Sequence, residues 1–170
     1  IKDHKVVLSG YNGVLMEYDT RTDKFTDKMP SEFRQSFYKG VEGIYISPRG
    51  DRYACTSGGI YRYDTSSGEY ISQFPLFRKF EHETVRNMLV DGFGQYWLAT
   101  VGNLYVCDGQ GRDLQGYDAQ MCKDRVVTGI LPLGGGNMAI SAFSDELWIV
   151  GSQRGRIHLQ RKLRLPFSNV

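Results

Sequence analysis

Groups able to do covalent chemistry are sparse in this sequence. Its histidines, His4, His82 and His158, are scattered and form neither an HExxH motif nor a close pair. The run "EHE" at 81–83 sets two carboxylates beside an imidazole, but neighbouring residues of an extended chain point to opposite faces, so it reads as a charged loop. Cys55, Cys107 and Cys122 lack metal-ligand spacing. They read as buried thiols, with a Cys107–Cys122 bridge left open. "LGGGN" at 133–137 leads into a strand pattern and not a helix, so it is no phosphate cradle. "DGFG" and "DGQGRD" lack the ligand spacing of a calcium loop and read as turns. No catalytic residue, metal or cofactor is expected.

Binding chemistry is better supplied. Arg34, Phe37, Tyr38 and Lys39 cluster in one connecting segment. Arg78, Phe80, His82 and Arg86 cluster in a second, and Lys123, Asp124 and Arg125 in a third. Tyr11, Asn12 and Asn103 sit at chain reversals. Aromatic faces stack on apolar sugar faces and arginine forks onto carboxylate or sulfate, so this set suits a sugar or an anionic oligosaccharide. The ligand candidates are Tyr11, Asn12, Arg34, Tyr38, Lys39, Arg78, His82, Arg86, Asn103 and Arg125; the alternative is that they are solvated loop residues.

The elements that must carry these loops are strands. Glycine is abundant, at 20 of 170 residues, proline is scarce at 5, and there are 11 Tyr, 9 Phe and 2 Trp. That mixture suits many short strands joined by tight turns. The formal charge is +2 and the basic residues are dispersed, which does not suggest nucleic acid or an anionic membrane as a partner. No apolar run approaches the roughly 20 residues of a membrane helix.

The strands repeat. "VRNMLVDGFGQYWLATVGNLYVCD" (85–108) overlays "VEGIYISPRGDRYACTSGGIYRYD" (41–64) at a constant offset of 44, matching Gly50 to Gly94, Tyr53 to Trp97, Thr56 to Thr100 and Asp64 to Asp108. Weaker copies lie at 127–151 and 5–19. Each unit reads as four short strands: Val85 to Val90, Tyr96 to Val101, Leu104 to Cys107 and a polar fourth over Arg112 to Tyr117. Four strands in about 44 residues is the arithmetic of a β-propeller blade. The expectation is an all-β chain of nearly four blades, each of four antiparallel strands, forming one segment over 1–170 with repeats at about 1–30, 38–74, 82–118 and 124–162. A β-sandwich leaves the constant offset unexplained.

The first copy opens in its second strand at Lys5-Val6-Val7. The arc is therefore expected to be part of a larger propeller whose remaining blades are partners; a closed four-bladed ring is the alternative. An open arc exposes the Val6–Ser9 edge and invites a homodimer.

The unit at 85–108 resembles the two-component regulator propeller repeat through Val85, Met88, Asp91, Gly94, Trp97, Ala99, Thr100, Leu104 and Tyr105, with Asn103 in place of a glycine. The second copy follows through Ile46, Gly50, Thr56, Gly58, Gly59, Ile60 and Tyr61, with Tyr53 replacing tryptophan. The resemblance implies a non-enzymatic segment of a periplasmic sensor propeller of a histidine-kinase signalling system, responsive to an oligosaccharide or other small ligand. Any kinase activity would lie in other parts of the full-length protein. An interaction scaffold is the second reading. A propeller enzyme like the streptogramin lyases is the third, and its histidine- and acid-lined metal site finds little support in three scattered histidines.

Overall fold

The computed structural model describes residues 4–10, 14–29, 40–72, 78–114, 122, 125–153 and 156–166. The strands fall into two compact units, Ile1–Thr84 and Val85–Val170.

The first unit holds two antiparallel sheets. One runs in the order β1 (Lys5–Ser9), β2 (Leu15–Asp19), β3 (Lys24–Asp27), and the other β4 (Val41–Ile46), β5 (Arg52–Thr56), β6 (Gly59–Asp64), β7 (Glu69–Ile71). Turn chemistry sets these lengths. Between β5 and β6 the Thr56 hydroxyl donates to the Gly59 carbonyl at 2.8 Å and accepts from the Gly58 N–H at 3.1 Å. Gly59 has φ +104°, and a Cβ there would meet the Phe80 carbonyl oxygen at 2.8 Å. Only glycine fits that approach. Leu15, Val41, Ala54, Tyr61 and Tyr70 form the buried core.

The second unit contains β8 (Val85–Val90), β9 (Tyr96–Gly102), β10 (Leu104–Cys107), β11 (Arg125–Gly134), β12 (Asn137–Ala142), β13 (Glu146–Gln153) and β14 (Arg156–Arg164). β8, β9 and β10 make one antiparallel meander, and β11 to β14 another. The last residues of β9 outrun β8 and pair with β11, Val101 with Val126 and Gly102 with Arg125. Of the fourth strand expected over Arg112 to Tyr117, the described residues show a single bridge between Cys107 and Asp113. "LGGGN" makes a two-residue hairpin, with Gly135 and Gly136 at φ +60° and +79° between the paired Gly134 and Asn137. Both central residues need φ > 0 in such a turn, which explains the glycines.

Trp97 shows why the 85–108 copy has the strongest pattern. Its ring is fully buried with Met138, Ile140, Trp148 and Val150. Its indole N–H donates to Asp91 Oδ2 at 2.9 Å, while Asp91 Oδ1 accepts the N–H groups of Phe93 and Gln95. One carboxylate thus fixes both the β8–β9 turn and the tryptophan. Ser47 and Tyr53 hold the equivalent places in the first unit. There the Ser47 hydroxyl accepts the Asp51 N–H at 3.1 Å.

A second repeated device is invisible in the sequence. The first strand of three repeats slips by one residue against its neighbour: between Val41 and Gly43, Val85 and Asn87, and Val127 and Gly129. Glu42, Arg86 and Thr128 are the extra residues, and all three are exposed. A bulge of this kind re-aims one side chain out of the strand's alternation.

Candidate functional site

Tyr11, Asn12, Arg34, Phe37, Tyr38, Lys39, Lys123 and Asp124 lie outside the described residues. Arg78 and His82 belong to the first unit, and Arg86, Asn103 and Arg125 to the second.

In the second unit the strand register gathers the candidates at one end of three strands. Arg86 is the bulged residue beside the Val85–Thr100 pair, Asn103 follows β9 directly, and Arg125 opens β11 opposite Gly102. Their local roles differ. Arg86 is exposed. Asn103 holds the reversal: its side-chain oxygen accepts the Leu104 N–H at 2.8 Å, and its backbone carbonyl accepts both the N–H of Thr100 at 2.9 Å and the Thr100 hydroxyl at 3.3 Å. Arg125 is half committed. Its guanidinium lies 5.6 Å over the buried Trp148 ring, with Nη1 3.8 Å from Glu146 Oε2, while Lys162 Nζ reaches Glu146 Oε1 at 2.6 Å. A stacked guanidinium still presents donors at its edge, and a fixed one loses less entropy on binding. Thr128, bulged like Arg86, shares a 3.0 Å hydrogen bond with the Ser141 hydroxyl. Thr128 is not among the sequence candidates, because its bulge shows only against the register of β12.

In the first unit the 78–84 loop is anchored from beneath. Phe80 is 1% exposed, so this ring belongs to the core and not, as expected, to a ligand surface. The Glu83 carbonyl accepts the Gly59 N–H at 2.9 Å. Arg78 is exposed, and the exposed His82 ring has Nε2 3.3 Å from Glu81 Oε1.

Among the described residues no group of His, Cys, Asp and Glu could hold a metal. Cys55, Cys107 and Cys122 are all buried thiols outside any disulfide. Burial pushes the Cys55 thiol up to about 12, with the charge of Glu42 acting in the same sense. Burial pushes Cys122 up to about 12 as well, against the opposing pull of Arg125. Thiols so held are poor nucleophiles. What remains at the second unit's strand end is a set of cationic and amide groups, Arg86, Asn103 and Arg125.

No protein-family model and no curated protein matches the chain. Solved structures do. The extracellular domain of BT4673 from B. thetaiotaomicron, assigned as a hybrid two-component system, aligns over 94% of this chain with a TM-score of 0.67 and 18% identity. The corresponding domain of BT3049 from the same organism aligns over 92% with a TM-score of 0.68 and 17% identity. This chain spans 21% and 22% of those two chains, about a fifth of their length. The β-propeller domain of Cps50 (Swd1) from Myceliophteria thermophila aligns over 96% of the chain and 57% of its own length, with a TM-score of 0.64 and 13% identity. The chain therefore has the fold of β-propeller blades, as the repeat arithmetic indicated.

Proposed function

We propose that this chain is a ligand-recognising, non-enzymatic segment of an extracytoplasmic sensor propeller in a two-component signalling protein. The observation that carries the reading is its likeness, over more than nine-tenths of its length, to the extracellular domains of two such systems. The remaining blades and the signalling parts would belong to a longer protein. The ligand class is an acidic oligosaccharide. Arg86, lifted out of β8 by its bulge, and Arg125, fixed on Trp148, would fork onto its carboxylates.

Calorimetric titration of the purified chain against neutral and uronic-acid-containing oligosaccharides tests this. Saturable binding of an acidic member is expected, weakened about tenfold or more by Arg86→Ala, because a charge-assisted hydrogen bond contributes about 1.5–3 kcal/mol. Silence across the panel, with self-association of the chain, would overturn the sensor reading in favour of a scaffold.

A further inference from the structure

The first unit buries a cluster of charge that neither the repeat pattern nor the loop residues explain. Glu17 of β2 is 5% exposed. Its Oε1 accepts from Lys5 Nζ at 2.8 Å, and its Oε2 lies 3.6 Å from Arg52 Nη1. Arg52 in turn stands 5.1 Å over the ring of Tyr63, and Lys28 Nζ stands 5.7 Å from the same ring centroid while donating to the Gly68 carbonyl at 3.0 Å. Tyr63 pairs across β6 and β7 with Tyr70, and the two rings meet edge-on at 5.2 Å.

Tyr70 is the anomaly. It is 5% exposed, and its hydroxyl has no hydrogen-bond partner among the described residues. A buried hydroxyl left unmatched is destabilising, and native proteins seldom keep one unless something fills the place. Burial pushes this phenol up to about 12, with Arg52 pulling the other way, so it stays protonated and keeps its O–H free to donate.

Charge selects what it donates to. Among the described residues Lys5, Lys28 and Arg52 outnumber the carboxylates that act on them, Glu17 and, through Lys5, Asp19, so the cluster does not favour a cation. A stacked sugar is disfavoured too, because cations already lie against the Tyr63 ring. We propose that the cluster is a binding site for a small oxyanion, of carboxylate or phosphate type, which accepts from the Tyr70 hydroxyl and the Arg52 guanidinium. Arg52 and Lys5, with side chains 21% and 40% exposed, give the ion its way in from solvent. A guanidinium has five N–H donors, so pairing with Glu17 and stacking on Tyr63 leave it able to fork onto a second acceptor. This site is independent of the sugar-binding reading and uses none of its residues.

The test is thermal melting of the purified chain in inorganic phosphate and in acetate, each against sodium chloride at equal ionic strength. A saturable rise of about 3 °C is expected with at least one oxyanion, and the better one names the ligand class. Tyr70→Phe is expected to melt at or above the wild-type temperature in chloride, since it removes an unmatched polar group, and to lose the oxyanion response. Equal responses to chloride and both oxyanions would overturn the site, as would a full response in Tyr70→Phe. A clear loss of stability in Tyr70→Phe in chloride would also overturn it, by showing that the hydroxyl is satisfied without the ion, as by a bound water.

Discussion

The second unit buries Trp97 and Trp148 with Met138, Ile140 and Val150, an apolar interior shared by the strands of two repeats. The first unit packs Tyr61 and Tyr70 with Leu15 and Val41 and sets the buried Glu17 carboxylate between Lys5 and Arg52. The same blade plan thus carries two kinds of interior. An apolar one gains from every buried methylene and asks nothing in return. A polar group must be satisfied wherever it is buried: the second unit pairs Ser152 with Gln95 at 2.8 Å and leaves Glu146 Oε2 only the Arg125 guanidinium at 3.8 Å, while among the described residues the Tyr70 hydroxyl of the first unit has no partner. The oxyanion proposed for the first unit would supply the acceptor that the Tyr70 hydroxyl lacks.

The largest effect that could break this contrast comes from Trp97→Ala. Removing a fully buried indole and its bond to Asp91 should cost about 3–5 kcal/mol, read as a lowered denaturation midpoint with an unchanged slope. Tyr70→Phe in the other unit, by contrast, should cost nothing. A tryptophan variant of wild-type stability would mean that the second interior is not the anchor it is taken to be.

The constant offset between Val41 and Val85, and between Asp64 and Asp108, was enough to read strands, hairpins and blade arithmetic, because those depend on local turn chemistry and two-residue alternation. It also exposed the importance of position 97, where an aromatic recurs. The bulges at Glu42, Arg86 and Thr128 were not legible, since an extra residue in one strand shows only against its partner's register. Nor was the Glu17–Arg52–Tyr70 cluster, which joins side chains from β2, β5 and β7 that no spacing rule connects. Phe80 was misassigned because an aromatic in a polar loop looks like a ligand platform until the Gly59 approach beneath it is seen.

A smaller effect sharpens the comparison by testing what the units share. Asp64 is held below the usual carboxylate range by the Ser67 hydroxyl and by the backbone N–H groups of Ser67 and Ser66. Asp108, at the equivalent place, is also lowered: burial works against it, but the N–H groups of Arg112 and Gln110 prevail. A lowered carboxylate contributes stability above its unfolded pKa, near about 4, and loses it as pH falls through the lower folded value. Asp64→Asn and Asp108→Asn should therefore each lower the melting temperature slightly at pH 7. Each difference from wild type should shrink below about pH 4. Matching profiles would place the difference between the units in their interiors; unequal ones would place it in the turns.

Amide hydrogen exchange, followed strand by strand with and without whichever of phosphate and acetate raises the melting temperature more, tests the contrast most directly. The account predicts slower exchange in β9, β12 and β13 than in β2, β5 and β6, and protection by the oxyanion confined to the latter group and β7. Uniform exchange in the two units, or oxyanion protection spread evenly over both, would contradict it.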